Sequence, residues 1–224
     1  MIKPFVAERL FKPNYSWEME THENYIVIDN FFEDFDSIYD YMYNSHHENW
    51  KIGSNERNFI DYYDCRTVIN NTWPDQELID KRMEYYFQLG KFCAPDIPVS
   101  IQRTFSFNIW SIVTPEVSKD LQVIPHKERA LNMVVYLDKI SSGGTALYYE
   151  TDEKMMQHMK DAGDGDLETY NLMDISGLNF EVLQSKPNRC VIFDGNIWHG
   201  MYVEDHDKYR DEWRFNYCQF LEYD

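Results

Sequence analysis

Residues 125–149 read Pro125-His126-Lys127-Glu128-Arg129-Ala130-Leu131-Asn132-Met133-Val134-Val135-Tyr136-Leu137-Asp138, then Lys139-Ile140-Ser141-Ser142-Gly143-Gly144-Thr145-Ala146-Leu147-Tyr148-Tyr149. In an extended segment, side chains two apart point the same way. His126 and Glu128 therefore face one point while Lys127 turns away. Leu131 to Leu137 and Thr145 to Tyr149 have the apolar, β-branched and aromatic character of strands, as do Phe180 to Leu183 and Arg189 to Phe193 further on. The last of these ends in Asp194-Gly195-Asn196, a turn that sets Trp198-His199-Gly200 at the mouth of a sheet. An H-x-E triplet alone is common, and a histidine at a strand end is usually structural. Their order along a series of strands is what points to a metal. Two imidazoles and one carboxylate form the facial set that suits non-haem Fe(II), with the opposite positions open. The expected ligands are His126, Glu128 and His199.

Around these residues, Ser142-Gly143-Gly144-Thr145 forms a Gly-Gly turn before a strand, and Pro187-Asn188-Arg189 precedes the apolar run into Trp198-His199-Gly200. In this order the C-terminal half resembles the Fe(II)- and 2-oxoglutarate-dependent dioxygenases, in their prolyl-4-hydroxylase-like and phytanoyl-hydroxylase-like branches. Glu128 stands where Asp is commoner in that family, and Glu204 to Glu212 reads as an insertion ahead of the last strand. The resemblance implies a mainly β fold with flanking helices, built on a double-stranded β-helix (jelly-roll, cupin-like) core. It also implies Fe(II), 2-oxoglutarate as cosubstrate and O₂. The implied reaction hydroxylates a C–H bond of a peptidyl or free amino acid and releases succinate and CO₂.

The family also places a basic residue on the strand after the second histidine, and two arginines compete for that role. Arg210 sits among Glu204, Asp205, Asp207, Lys208, Asp211 and Glu212, a charge run that reads as a solvated loop. Arg214 opens a segment from Trp213 to Leu221 whose alternation sets Arg214, Asn216 and Cys218 on one side of a half-buried strand. A guanidinium fork matches a carboxylate with two parallel hydrogen bonds. Arg214 is thus the expected anchor for the far carboxylate of 2-oxoglutarate, with Asn216 as its helper. The alternative is a structural ion pair at Arg214.

The chain has 224 residues, enough for one domain. Residues 1–98 are expected to form an opening strand with supporting helices. Residues 99–224 are expected to form the β-helix core, with an acidic, Met-rich insertion at about 150–177. Tyr25 to Ile28 reads as the opening strand and Ser37 to Asn44 as a helix capped by Asp36. A second helix is expected from Asp75 to about Phe92, and Val99 to Val113 is extended. Met155, Met156 and Met159 fall in a short helix, read either as a lid over the iron or as a packed surface helix. Arg103, Trp110, Tyr148 and Trp198 are candidates to line a pocket.

Against 39 acidic residues stand 21 basic ones, a formal charge of −18 that disfavours a grip on phosphate backbones and favours cationic partners. With no long apolar run and a charged N-terminal stretch, the expectation is a cytoplasmic protein (of the host cell if the chain is viral) without membrane contact. Four cysteines at wide, irregular spacing read as buried thiols rather than a disulfide framework. The substrate, a peptide or small molecule, and the oligomeric state are open at this level. Alternatives are the same iron centre acting on a small molecule or nucleobase, a cupin-like enzyme without 2-oxoglutarate, and a non-catalytic metal-binding jelly roll.

Overall fold

The computed structural model describes residue 14 and residues 18–44, 51–52, 60–64, 104–112, 119–128, 130–162, 172–209 and 214–222. In chain order the strands are β1 (Glu18–Thr21), β2 (Tyr25–Asp29), β3 (Lys51–Ile52), β4 (Ile60–Asp64), β5 (Thr104–Ile112), β6 (Leu121–Val123) and β7 (Ala130–Tyr136). They continue as β8 (Gly144–Tyr148), β9 (Leu172–Asp174), β10 (Phe180–Gln184), β11 (Arg189–Asp194), β12 (Trp198–Tyr202) and β13 (Arg214–Glu222). Helix α1 (Phe35–Asn44) follows β2, and helix α2 (Asp152–Asp161) follows β8.

A large sheet runs in the order β1-β2-β11-β7-β13-β5-β4-β3 and faces a small one, β10-β8-β12. Beyond β12, a single antiparallel bridge between His199 and His126 ties on the segment that leaves β6. Every pairing is antiparallel, the arrangement expected of a double-stranded β-helix, and the two sheets do not close into a barrel among the described residues.

Among the described residues, strand alternation gathers side chains into separate clusters, two of which bear on the site. Tyr136, Leu147, Leu183, Val191 and Phe193 meet between the sheets. On the outer face of the small sheet, Ala146, Tyr148 and Tyr202 pack with Met155, Met159, Met173 and Ile175. Helix α2 therefore packs on the back of the small sheet, while residues 163–171 of the expected insertion lie outside the described residues. Thr151 caps it by accepting from the Lys154 amide. Tyr148 faces this outer core and Trp198 packs against it, so neither lines the interior as the sequence suggested. Trp198 neighbours His199 along β12, and period two sends the pair to opposite faces.

The Gly-Gly turn has a steric reason. Gly144 has φ of 154°, and a Cβ there would meet the Leu183 carbonyl oxygen at 2.0 Å. Helix α1 begins two residues earlier than the expected Ser37. Asp34 accepts the Ser37 amide at 3.2 Å and is the N-cap, whereas Asp36 lies inside the helix and pairs with Lys139 at 3.2 Å. A cap reaches the amide three residues on, and for Ser37 that residue is Asp34. The expected helix at 75–92, Arg103 and Arg210 lie outside the described residues.

Candidate metal centre

The antiparallel bridge sets the geometry of the site. The His126 amide donates to the His199 carbonyl at 2.8 Å and the His199 amide returns the bond at 2.9 Å. The Glu128 amide donates to the Gly195 carbonyl at 2.8 Å, pinning the next ligand position to the turn after β11. With this backbone fixed, the ligand atoms of His126, Glu128 and His199 all lie within 4.8 Å of one another. His126 Nε2 is 3.5 Å from Glu128 Oε1, and His199 Nε2 is 4.0 Å from Glu128 Oε2. Gaps of this size are spanned by one ion with ligand bonds of roughly 2 Å. Lys127 turns away as expected, toward Asp152 of α2 and over the Trp198 ring.

Exposure falls steeply across the three: the His126 side chain is 51% exposed, Glu128 32% and His199 5%. Burial, reinforced by His126, lowers the His199 imidazole to about 4, so it is neutral at neutral pH. Its Nδ1 lies 2.8 Å from the Ile197 carbonyl, which can only accept, so Nδ1 carries the proton and Nε2 presents a lone pair. Burial raises the Glu128 carboxyl, but the His126 hydrogen bond and charge, with help from His199 and Asn132, outweigh it and the net shift is downward. A neutral imidazole and an ionised carboxylate are the forms that bind a metal.

Asn132 is a participant that the sequence reading missed. Buried at the start of β7, its amide nitrogen lies 2.9 Å from Glu128 Oε2 and 2.9 Å from His199 Nε2. Its two N–H groups serve both acceptors, while its Oδ1 has no partner. A polar residue inside the apolar run Leu131 to Leu137 was the available signal.

Arg214 and Asn216 are both buried on the inward side of β13, as their alternation predicted, but at another depth. Asn216 pairs in register with Tyr136, four positions along β7 from Asn132. Arg214 Nη2 donates to the Gly144 carbonyl at 2.8 Å, and its guanidinium lies 5.9 Å from the centre of the Tyr136 ring. No carboxylate of the described residues pairs with it, and Arg214 Nε and Asn216 Oδ1 lack partners. A buried cation without a counter-ion is costly, and an anionic ligand would relieve that cost. Gly144 lies three positions along β8 from Leu147, which faces His199 in register. At about 3.3 Å per residue the separation is roughly 10 Å, suited to a short dicarboxylate reaching from metal to guanidinium. Tyr136 and Thr145 share a hydroxyl hydrogen bond of 2.8 Å beside this path.

No family model and no curated protein sequence matches the chain. Solved structures do. The non-heme alpha ketoglutarate dependent epimerase SnoN from nogalamycin biosynthesis has TM-score 0.52 at 12% identity, covering 98% of this chain and 81% of that one. The carbocyclase SnoK of the same biosynthesis, also alpha ketoglutarate dependent, has TM-score 0.52 at 12% identity, covering 89% and 80%. A prolyl-4-hydroxylase from Pseudomonas putida has TM-score 0.44 at 10% identity, covering 98% and 96%. The chain has the double-stranded β-helix fold of the first two.

Proposed function

We propose that this protein is an Fe(II)- and 2-oxoglutarate-dependent oxygenase. The observation that carries the reading is the meeting of His126, Glu128 and His199 at one mouth of a double-stranded β-helix, with Arg214 buried deeper on the same inner surface and without a carboxylate partner among the described residues. His126 Nε2, a Glu128 oxygen and His199 Nε2 hold the metal. Arg214, with Asn216 beside it, takes the far carboxylate of 2-oxoglutarate. With metal, cosubstrate and O₂ bound, the centre supplies oxidative decarboxylation to succinate and CO₂ and inserts one oxygen atom into a substrate C–H bond.

The chain's own residues do the positioning. The Nδ1 bond to Ile197 orients His199 and fixes its tautomer. Asn132 holds the outer oxygen of Glu128, which compensates for the extra methylene of Glu by leaving Oε1 directed toward His126. Apolar Leu147, Val191 and Phe193 keep the surroundings dry. The reaction we assign is hydroxylation of a peptidyl or free amino acid. The acidic charge of the chain weighs against a nucleic-acid substrate.

The test is an anaerobic titration with Fe(II) and 2-oxoglutarate, following the visible charge-transfer band of the chelate. The band is expected only with both components, and His199→Ala abolishes it. Arg214→Ala retains Fe(II) binding but weakens 2-oxoglutarate at least tenfold, about 1.4 kcal/mol. Iron binding without a band sinks the 2-oxoglutarate reading and leaves a cupin-like metal site. An Arg214→Ala protein with undiminished cosubstrate affinity removes Arg214 from its role.

A further inference from the structure

A second concave feature opens at the mouth of the fold, away from the three metal-binding candidates. It is a groove of about 290 Å³ lined by His22, Glu23, Asn24, Tyr25, Tyr149 and Glu181. Cross-strand register ties it to the centre. In the small sheet, Glu181 faces Leu147 and Leu147 faces His199, so the three form one row. In the large sheet, Tyr25 faces Phe193 and Phe193 faces Asn132.

These two rows oppose each other across the interior at a single depth. Asn132 touches His199 at 2.9 Å at one end, the Phe193 and His199 rings lie 4.9 Å apart in the middle, and Tyr25 meets Glu181 at 2.6 Å at the other end. Each row spans two strand spacings, so groove and metal centre lie roughly 10 Å apart on one level. Buried Leu147 and Phe193 fill the interior between them, so a molecule that reaches both sites passes over these side chains rather than between the sheets.

The groove is built around a carboxylate. Tyr25 donates to Glu181 Oε1 at 2.6 Å and Tyr149 donates to Oε2 at 3.1 Å. Burial and the bond to Glu181 raise the Tyr25 phenol, which therefore stays a donor. Two phenol donors orient the carboxylate and leave lone pairs on both oxygens. Glu181 pairs with no Lys or Arg among the described residues; Lys186 and Arg189 serve Asp29 at the other end of β2. The His22 ring stacks on Tyr25, with centroids 4.3 Å apart at 18°, and Tyr149 forms a further aromatic wall. Glu23 adds a second carboxylate.

We propose that this groove is the specificity subsite for a cationic substrate, holding an alkylammonium or alkylguanidinium group on Glu181 between the Tyr25 and Tyr149 phenols while the reacting carbon lies at the metal centre. A carboxylate edged by aromatic faces attracts an organic cation through both charge and ring quadrupole. The excess of acidic residues steers such molecules inward. An extended lysyl or arginyl side chain is roughly 6–7 Å long, and with a hydrogen bond of about 3 Å at the carboxylate it covers the roughly 10 Å between the sites. This assignment of substrate class rests on the oxygenase reading above.

The test uses calorimetry on the full chain with n-butylammonium, n-butylguanidinium, a blocked lysine, a lysine-containing peptide and, as the uncharged control, n-butanol. Cations are expected to bind at least tenfold more tightly than butanol. Glu181→Gln preserves an acceptor for a phenol but lacks the charge, and is expected to weaken cation binding about tenfold while the Fe(II)·2-oxoglutarate band stays in place. Saturating cation is expected to shift that band and to accelerate 2-oxoglutarate consumption. Stronger binding of the peptide than of the blocked lysine would identify a protein-borne cation, and the reverse order a free amino acid or amine.

Equal affinity for butanol and the cations, or undiminished cation binding by Glu181→Gln, overturns the subsite. Cation binding that changes neither band nor consumption, in a protein that forms the band, overturns the link to the reaction. A protein that forms no band yet binds cations through Glu181 defeats the oxygenase reading, and with it the assignment of substrate class.

Discussion

Asn132 shows how much one buried amide contributes to the candidate centre. It donates to Glu128 and His199 together; because a neutral imidazole has one acceptor nitrogen, a metal at His199 Nε2 replaces the second bond and leaves Asn132 supporting Glu128. Groups in this supporting position commonly contribute 10- to 100-fold to metal affinity. Asn132→Ala is accordingly expected to weaken Fe(II) binding by at least tenfold in an anaerobic titration, with the far-ultraviolet circular dichroism unchanged. Unaltered affinity would make Asn132 a packing residue only. Asn132 was half legible: as a polar residue in an apolar strand it was conspicuous, but its partners come from a segment four residues back and a strand far along the chain. His126, Glu128 and His199 were legible because period two and the strand order suffice to bring them together.

Elements are joined at two places that make opposite demands. Gly144 starts β8 with its Cα hydrogens against the β10 backbone, and the added methyl of Gly144→Ala would have to displace the Leu183 carbonyl. That variant is expected to lose about 3 kcal/mol or more in urea unfolding. Gly177 has φ of 82° but open space around its Cα, so Gly177→Ala is expected to cost only about 1 kcal/mol. Equal losses at the two sites would refute the steric argument. Between β2 and β11 the junction is ionic. Asp29 accepts from Arg189 at 2.6 Å and from Lys186 at 2.7 Å, and chiefly the Arg189 bond lowers its carboxyl from 3.8 to about 2. Because the folded value is depressed, the stabilisation is present above pH 3.8 and disappears as pH falls toward 2. Arg189→Ala is expected to flatten the fall in stability across that window, measured by urea unfolding at pH 4.5, 3.5 and 2.5. An unchanged slope would show that Asp29 is not the group being titrated. Strand identities were legible from alternation, including the inward set on β13. Register was not, and register alone separates the depth of Arg214 from that of His199 and brings Glu181 level with it.

Across the whole molecule, 18 surplus negative charges repel one another. Raising salt screens that repulsion, so thermal stability is expected to rise by a few degrees between low salt and about 0.5 M NaCl. A fall would mean that ion pairs such as Asp29 with Arg189 outweigh the general repulsion. The described helices include none long and apolar enough to cross a membrane. The graded exposure of the three candidate ligands, from His199 through Glu128 to His126, makes the centre a one-sided socket. An ion seated there would leave by the way it entered, with His126 the first ligand to let go and His199 the last. A chelator in the purification buffer is therefore expected to strip the protein and added Fe(II) to refill it without unfolding, read by metal analysis and circular dichroism.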